Sequence, residues 1–187
     1  MTLVAPLYER LTGESWKQVN PVVRAIHLHA DILHAEGVFQ ITHGKNLLAR
    51  LINWIARMPP AAEAKPITLT IERIGQGERW TRLFGDKRLV SFQEEHDGQV
   101  VAERFGQLEI CFTLSIADGG VIYHQHSASL RFGALRVKLP RWMAPEVIAS
   151  ETVAPSKDRS YVSVGVSLPV IGHLLGYQGE LSGRGSH

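Results

Sequence analysis

Cysteine is almost missing from this chain of 187 residues, which holds a single one, Cys111. One thiol excludes a disulfide framework and any cysteine-built zinc cluster. Long apolar runs are missing too, and none approaches the roughly 20 residues that a spanning helix needs. The opening Met1-Thr2-Leu3-Val4-Ala5-Pro6 has no basic stretch followed by a continuous apolar one, so no cleaved leader and a cytoplasmic location are expected. Charge of one sign is scarce: 20 Lys and Arg stand against 18 Asp and Glu, a net +2. That excess is too small to imply a nucleic-acid partner, although a pI near 8.8 permits weak attraction to anionic surfaces. No Gly-x-Gly-x-x-Gly follows a strand pattern, so no dinucleotide site and no cofactor are expected.

What is present suits a soluble globular domain, with 44% hydrophobic and 20% charged residues and a mean hydropathy of -0.03. A chain of this size buries roughly 70% of its unfolded surface, enough for a core without covalent staples. Residues 1–180 read as one domain whose N-terminal segment 1–34 is helical, followed by a Gly/Ser-rich flexible tail, 181–187. After Gly37 the apolar period changes to two. One amphipathic helix is predicted over residues 45–58, closed by Pro59-Pro60, with Leu47, Leu48, Leu51, Ile52, Trp54, Ile55 and Met58 as its apolar stripe.

From Pro66 onward the pattern is β. Ile67, Leu69 and Ile71 alternate with Thr68, Thr70 and Glu72, and turn signals recur at Gly75-Gln76-Gly77, Gly85-Asp86, Asp97-Gly98, Gly106 and Asp118-Gly119-Gly120. About eight to ten short antiparallel strands follow, and a meander of that length must curl or close to remove its edges. The expected fold is mainly β with N-terminal helices (α+β). It is an antiparallel β-barrel or strongly curled sheet of calycin-like or fatty-acid-binding-like character, with helix 45–58 capping one mouth. Barrels of this strand number can be filled by side chains or can hold one small ligand.

Particular segments carry a resemblance. They are Leu7-Tyr8-Glu9-Arg10-Leu11, Glu78-Arg79-Trp80-Thr81-Arg82-Leu83-Phe84-Gly85, Glu103-Arg104-Phe105-Gly106, Leu139-Pro140-Arg141 with Pro145, and Val166-Ser167-Leu168-Pro169 with Gly172, Tyr177 and Gly179. In this order and spacing the chain resembles the bacterial family of domain of unknown function 4166 over nearly its whole length. The resemblance implies no activity and no catalytic residues. Some members lie behind a saccharopine-dehydrogenase-like reductase, which implies a reductase-like protein as a partner to consider.

Among candidate site residues the Trp80-Arg82-Phe84 face stands first. Alternation puts these three on one side of a strand, with the guanidinium set between two rings where it can receive an anionic head group or pair internally with Glu78, Glu103 or Glu151. An arginine inside a small barrel needs a partner in either case. Arg104 and His124 are added as candidate ligand contacts. His124 and His126, at i and i+2, could ligate a metal only with a third donor, and His27, His29, Asp31 and His34 straddle a predicted helix end, so no metal site is assigned. Cys111 has no basic neighbour to activate it, no serine sits in a nucleophile elbow, and Glu94-Glu95 alternate to opposite faces, so no catalytic residue is assigned.

These readings favour non-catalytic binding of a small apolar or amphipathic, lipid-like molecule with an acidic head group. A small cavity enzyme and an interaction module are the alternatives. The cations Lys45, Arg50 and Arg57 on helix 45–58, with no acid among them, also fit a peripheral membrane contact.

Overall fold

The computed structural model describes residues 5–29 and 31–184. Three short helical segments come first: α1 (Leu7–Thr12), a 3-10 turn (Gly13–Gln18) and α2 (Pro21–His27). Strand β1 (Ile32–His43) leads into the one helix placed among the strands, α3 (Leu47–Ile55). The rest is β: β2 (Ala62–Ile74), β3 (Gly77–Phe84), β4 (Lys87–His96), β5 (Val100–Phe105), β6 (Leu108–Ala117), β7 (Gly120–Phe132), β8 (Leu135–Lys138), β9 (Glu146–Val153), β10 (Ser160–Leu168) and β11 (Gly172–Arg184).

The expected meander closes. Ten strands form an antiparallel ring, β1 to β7 followed by β9, β10 and β11, and β11 returns to β1; β8 pairs with β7 alone. Short turns make this possible. Ala117 pairs with Gly120 across a two-residue turn in which Asp118 and Gly119 both have positive φ (51° and 74°), the conformation whose twist matches the strands on either side.

Closure depends on close contact between the first and last strands, paired from His34–Arg184 to His43–Leu175. A Cβ at Gly179 would run into the Val38 carbonyl oxygen and Phe39, and one at Gly37 would run into the Glu180 backbone. These glycines are needed for approach, not for turning. The distinction explains a correction: the glycine-rich C-terminal stretch reads as a flexible tail from 181, yet Leu181 is buried and β11 continues to Arg184. Residues 185–187 lie outside the described residues. At the other end β1 already begins at Ile32, inside the segment expected to be helical.

The upper end of the barrel is the one where β1 finishes and β2 begins. The lower end is plugged by α1, the 3-10 turn and α2, whose Leu7, Tyr8, Leu11, Trp16, Val23 and Ile26 are buried. Asn20 N–H donates to the Gly119 carbonyl (2.8 Å), fixing the plug to the β6–β7 turn.

Helix α3 rests against the upper parts of β1 and β11. Asn46 Oδ1 caps it by accepting from Ala49 N–H (2.7 Å), and Asn53 Nδ2 donates to the Leu174 carbonyl (2.7 Å). Ala49 is fully buried against Gly44. This small and polar side faces the barrel because Ala49 permits the close approach and Asn53 reaches the β11 backbone. The apolar stripe, expected to pack on the core, is therefore mostly turned outward: Leu47, Leu48, Leu51, Trp54 and Ile55 are exposed, and only Ile52 and Met58 are half-buried.

Gly179→Ala is expected to destabilise the protein by about 3 kcal/mol or more, because the added methyl meets backbone that cannot give way. Urea denaturation followed by far-UV circular dichroism checks this against Gly165→Ala, whose methyl meets no atom within 4 Å and whose backbone is not in the positive-φ region.

Candidate functional site

Inside the ring lies a cavity of about 170 Å³. An apolar cavity of about 150 Å³ in another protein is large enough to take up benzene. Its walls are aliphatic and aromatic, including Leu69, Leu89, Ile110, Phe112, Val164 and Leu175, and it extends from Ile26 of the plug to Met58 just past α3. Alternation produces this lining. Successive residues of a strand face opposite sides, so each strand contributes every second side chain to the interior.

Two polar groups interrupt the apolar wall. The first is on β3, β4 and β5. Arg82 Nη1 donates to Ser91 Oγ (2.8 Å), Arg82 Nη2 donates to Glu103 Oε1 (3.1 Å), and Ser91 Oγ donates to the same carboxylate oxygen (2.6 Å). The guanidinium also lies 5.1 Å from the centre of the Trp80 ring. Burial opposes the Arg82 charge, but Tyr177 and Glu103 beside it outweigh that effect and raise its pKa, so the group stays cationic.

The second group forms the floor, where the plug meets the barrel. Glu151 on β9 accepts from His27 of α2 (2.8 Å) and from Tyr123 Oη of β7 (2.8 Å). Tyr123 Oη stands 3.0 Å from Tyr8 Oη of α1, and Tyr8 donates to Gln93 Oε1 of β4 (2.8 Å). The Tyr8 and His27 rings lie against each other tilted by 33°, with centroids 3.8 Å apart. Burial alone would raise the Glu151 carboxyl; His27, Tyr123 and Arg82 outweigh it and hold it below its ordinary value of 4.5. Burial, with Glu151 next, pushes the Tyr8 and Tyr123 phenols well above their usual range. Tyr177 is raised by burial against the opposing pull of Arg82. Its hydroxyl makes no hydrogen bond among the described residues, leaving it an open polar group of the wall.

A model of the family described as domain of unknown function (DUF4166) matches residues 19–181. The chain belongs to that family. No curated protein and no solved structure matches it. The matched span of this DUF4166 domain takes in α2 and all but the last residues of the barrel, and leaves α1 with Tyr8 outside it.

The site residues read from the sequence separate into two groups. Trp80, Arg82 and Phe84 all face the interior and are buried; Trp80 and Arg82 line the cavity, whereas Phe84 packs edge-on against Tyr177, ring centres 5.7 Å apart. Of the internal partners considered for Arg82, Glu103 holds it. Arg104 and His124 need correction, because neither reaches the cavity. Arg104 follows Glu103 on β5 and so points outward, over the Phe92 ring at 5.7 Å and toward Glu94 at 3.7 Å. His124 is exposed and bonded to Ser115 (2.7 Å). A register shift opposite Cys111 and Phe112 reorders the β7 faces, so Tyr123 rather than His124 turns inward.

Among the described residues no cluster of three or more His, Cys, Asp or Glu is arranged to hold a metal. Cys111 is buried, and burial raises its thiol pKa, which disfavours the thiolate that a nucleophile needs. Sequence reasoning did not single out Tyr177, Gln93 or Tyr123 as site residues. The step of two from Val121 to Tyr123 was the one available signal for the last.

Glu103→Gln leaves Arg82 a buried charge without its counterion, and is expected to cost about 3–5 kcal/mol in denaturant titrations. Replacing both, as Arg82→Met with Glu103→Leu, is expected to recover most of that loss. The depressed Glu151 pKa sets a pH dependence. Its stabilisation is complete above pH 4.5 and is lost as pH falls through the lower folded value. Glu151→Gln is therefore expected to be less stable than the parent at neutral pH, with the gap narrowing below about pH 4.5, as read by denaturant midpoints across that range.

Proposed function

We propose that this barrel binds a small, mostly apolar molecule inside its ring, with a neutral hydrogen-bonding end placed beside Tyr177 and Arg82. The observation that carries this reading is the apolar cavity with the Tyr177 hydroxyl in its wall, which makes no hydrogen bond among the described residues. A packed core has neither.

The acidic head group expected from the sequence loses its motive inside the barrel. Arg82 already has Glu103, and the interior holds three buried or nearly buried carboxylates, Glu78, Glu103 and Glu151, against one guanidinium. A further carboxylate would enter a region without spare positive charge. A hydroxyl, carbonyl or amide avoids that penalty and can use the Tyr177 hydroxyl and the outer N–H groups of Arg82.

The protonation behaviour of the tyrosines and of Glu151 fits a binding role. The three tyrosines are moved away from neutrality and Glu151 is moved further below it, so none of these groups is poised to exchange a proton near pH 7.

Isothermal calorimetry with n-octanol and with octanoate tests the reading. Saturable uptake of octanol is expected, with octanoate weaker by about tenfold at neutral pH and Tyr177→Phe weakening octanol by a similar factor. Val164→Phe, which extends a side chain into the cavity, is expected to abolish uptake while leaving the thermal midpoint unchanged or higher. Absence of saturable binding for both probes, or a preference for octanoate, would contradict the reading. A fall of about 1–3 kcal/mol in the stability of Val164→Phe would show that the space is already filled.

A further inference from the structure

Helix α3 is mounted the opposite way from a core-packing helix. Its barrel-facing side is Ala49, Ile52 and Asn53, and the stripe Leu47, Leu51, Trp54 and Ile55 faces away, with Leu47 81% and Trp54 77% exposed. Such a face in a globular protein marks a surface that something else covers.

The charge around it indicates what. Lys45, Arg50 and Arg57 are exposed and form no ion pair among the described residues, and no acid occurs from Gly44 to Ala62. Arg50 lies at the border between the apolar stripe and the barrel-facing side, where a long side chain can reach toward phosphates while the stripe is buried. The same end of the barrel carries more of this character. The β10–β11 tip presents Val170, 80% exposed, and is tied to α3 by Asn46 Nδ2 donating to the Ile171 carbonyl (2.8 Å). The segment after β8 presents Arg141, Trp142 and Met143, and no acid lies between Asp118 and Glu146.

A backbone detail points the same way. The helix ends in a double reverse bond, Met58 N–H to the Asn53 carbonyl (2.9 Å) and Arg57 N–H to the Trp54 carbonyl (3.1 Å), with Arg57 at φ 53°. Glycine is the favoured residue at that position. An arginine here gives up conformational ease and places a cation beside the exposed stripe.

We propose that the upper end of the barrel is a docking face for an anionic lipid bilayer, with α3 lying in the interface, Trp54 and the leucines in the acyl boundary and Lys45, Arg50 and Arg57 on lipid phosphates. A second copy of this chain fits the same face poorly, because it would set these cations against themselves. The inference concerns the outer surface and does not rest on the cavity being occupied.

The test is co-sedimentation of the full chain with vesicles of phosphatidylcholine alone and of phosphatidylcholine mixed with phosphatidylglycerol. Binding to the mixed vesicles, with a blue shift of tryptophan emission and loss in about 0.5 M salt, is expected. Trp54→Ala is expected to weaken binding about tenfold. Arg57→Gly, which suits the helix end better than arginine, is expected to weaken it about fivefold without loss of thermal stability. Both variants keep their octanol uptake, and Val164→Phe keeps its vesicle binding, so this inference and the cavity reading fail separately. Failure to bind mixed vesicles, equal binding to phosphatidylcholine alone, or unchanged binding of both variants would overturn it. So would a dimer in light scattering that Trp54→Ala dissolves, since a second copy would then occupy the face.

Discussion

The pairing of β1 with β11 is the constraint from which the rest of the structure follows. These strands are the first and last of the barrel, and their register is possible only because Gly37 and Gly179 let the two backbones meet without side chains between them. Once the ring closes, strand alternation is no longer a local pattern. It divides each strand into an interior and an exterior set, and Arg82, Glu103, Tyr177 and Glu151 become neighbours although they are far apart in sequence. An open sheet of the same strands would leave these groups in water, where the ion pairs would contribute little.

The enclosed charges are arranged so that none stands alone. Arg82 is matched by Glu103 and braced by Ser91, and Glu151 accepts hydrogen bonds from His27 and Tyr123. The second set also joins separate parts of the fold, because Tyr8 and His27 belong to the helical plug and Gln93, Tyr123 and Glu151 to the ring. Plug and barrel are therefore docked by hydrogen bonds as well as by apolar burial. Among the described residues the interior is left with paired ions, the open Tyr177 hydroxyl and apolar walls. That combination accepts a neutral, weakly polar guest more readily than an ion.

The strand pattern was legible because the barrel's inner and outer faces impose a period of two, visible in Ile67-Leu69-Ile71 and Leu108-Ile110-Phe112. That Trp80, Arg82 and Phe84 share one face of their strand was legible for the same reason. Four things were not. β11 hid behind its glycines, whose task is close approach and whose composition mimics a loop. The β7 faces were reordered by a register shift that no single residue announces, so His124 replaced Tyr123 in the sequence reading. Arg104 resembled Arg82 in composition and neighbourhood, yet its odd-even position relative to Glu103 sends it outward to Glu94. Helix α3 was legible as an element, but its orientation was not, since it depends on one alanine against one glycine and on one asparagine reaching a β11 carbonyl.

The central claim is that the ring encloses space that an apolar guest can enter. Crystals of the protein held under xenon test it most directly, since xenon enters apolar cavities and is located by its anomalous scattering. The account predicts a xenon peak inside the barrel among Leu69, Leu89 and Val164, with the Arg82–Glu103 pair intact beside it. An interior free of xenon, with those side chains collapsed against one another, would contradict it.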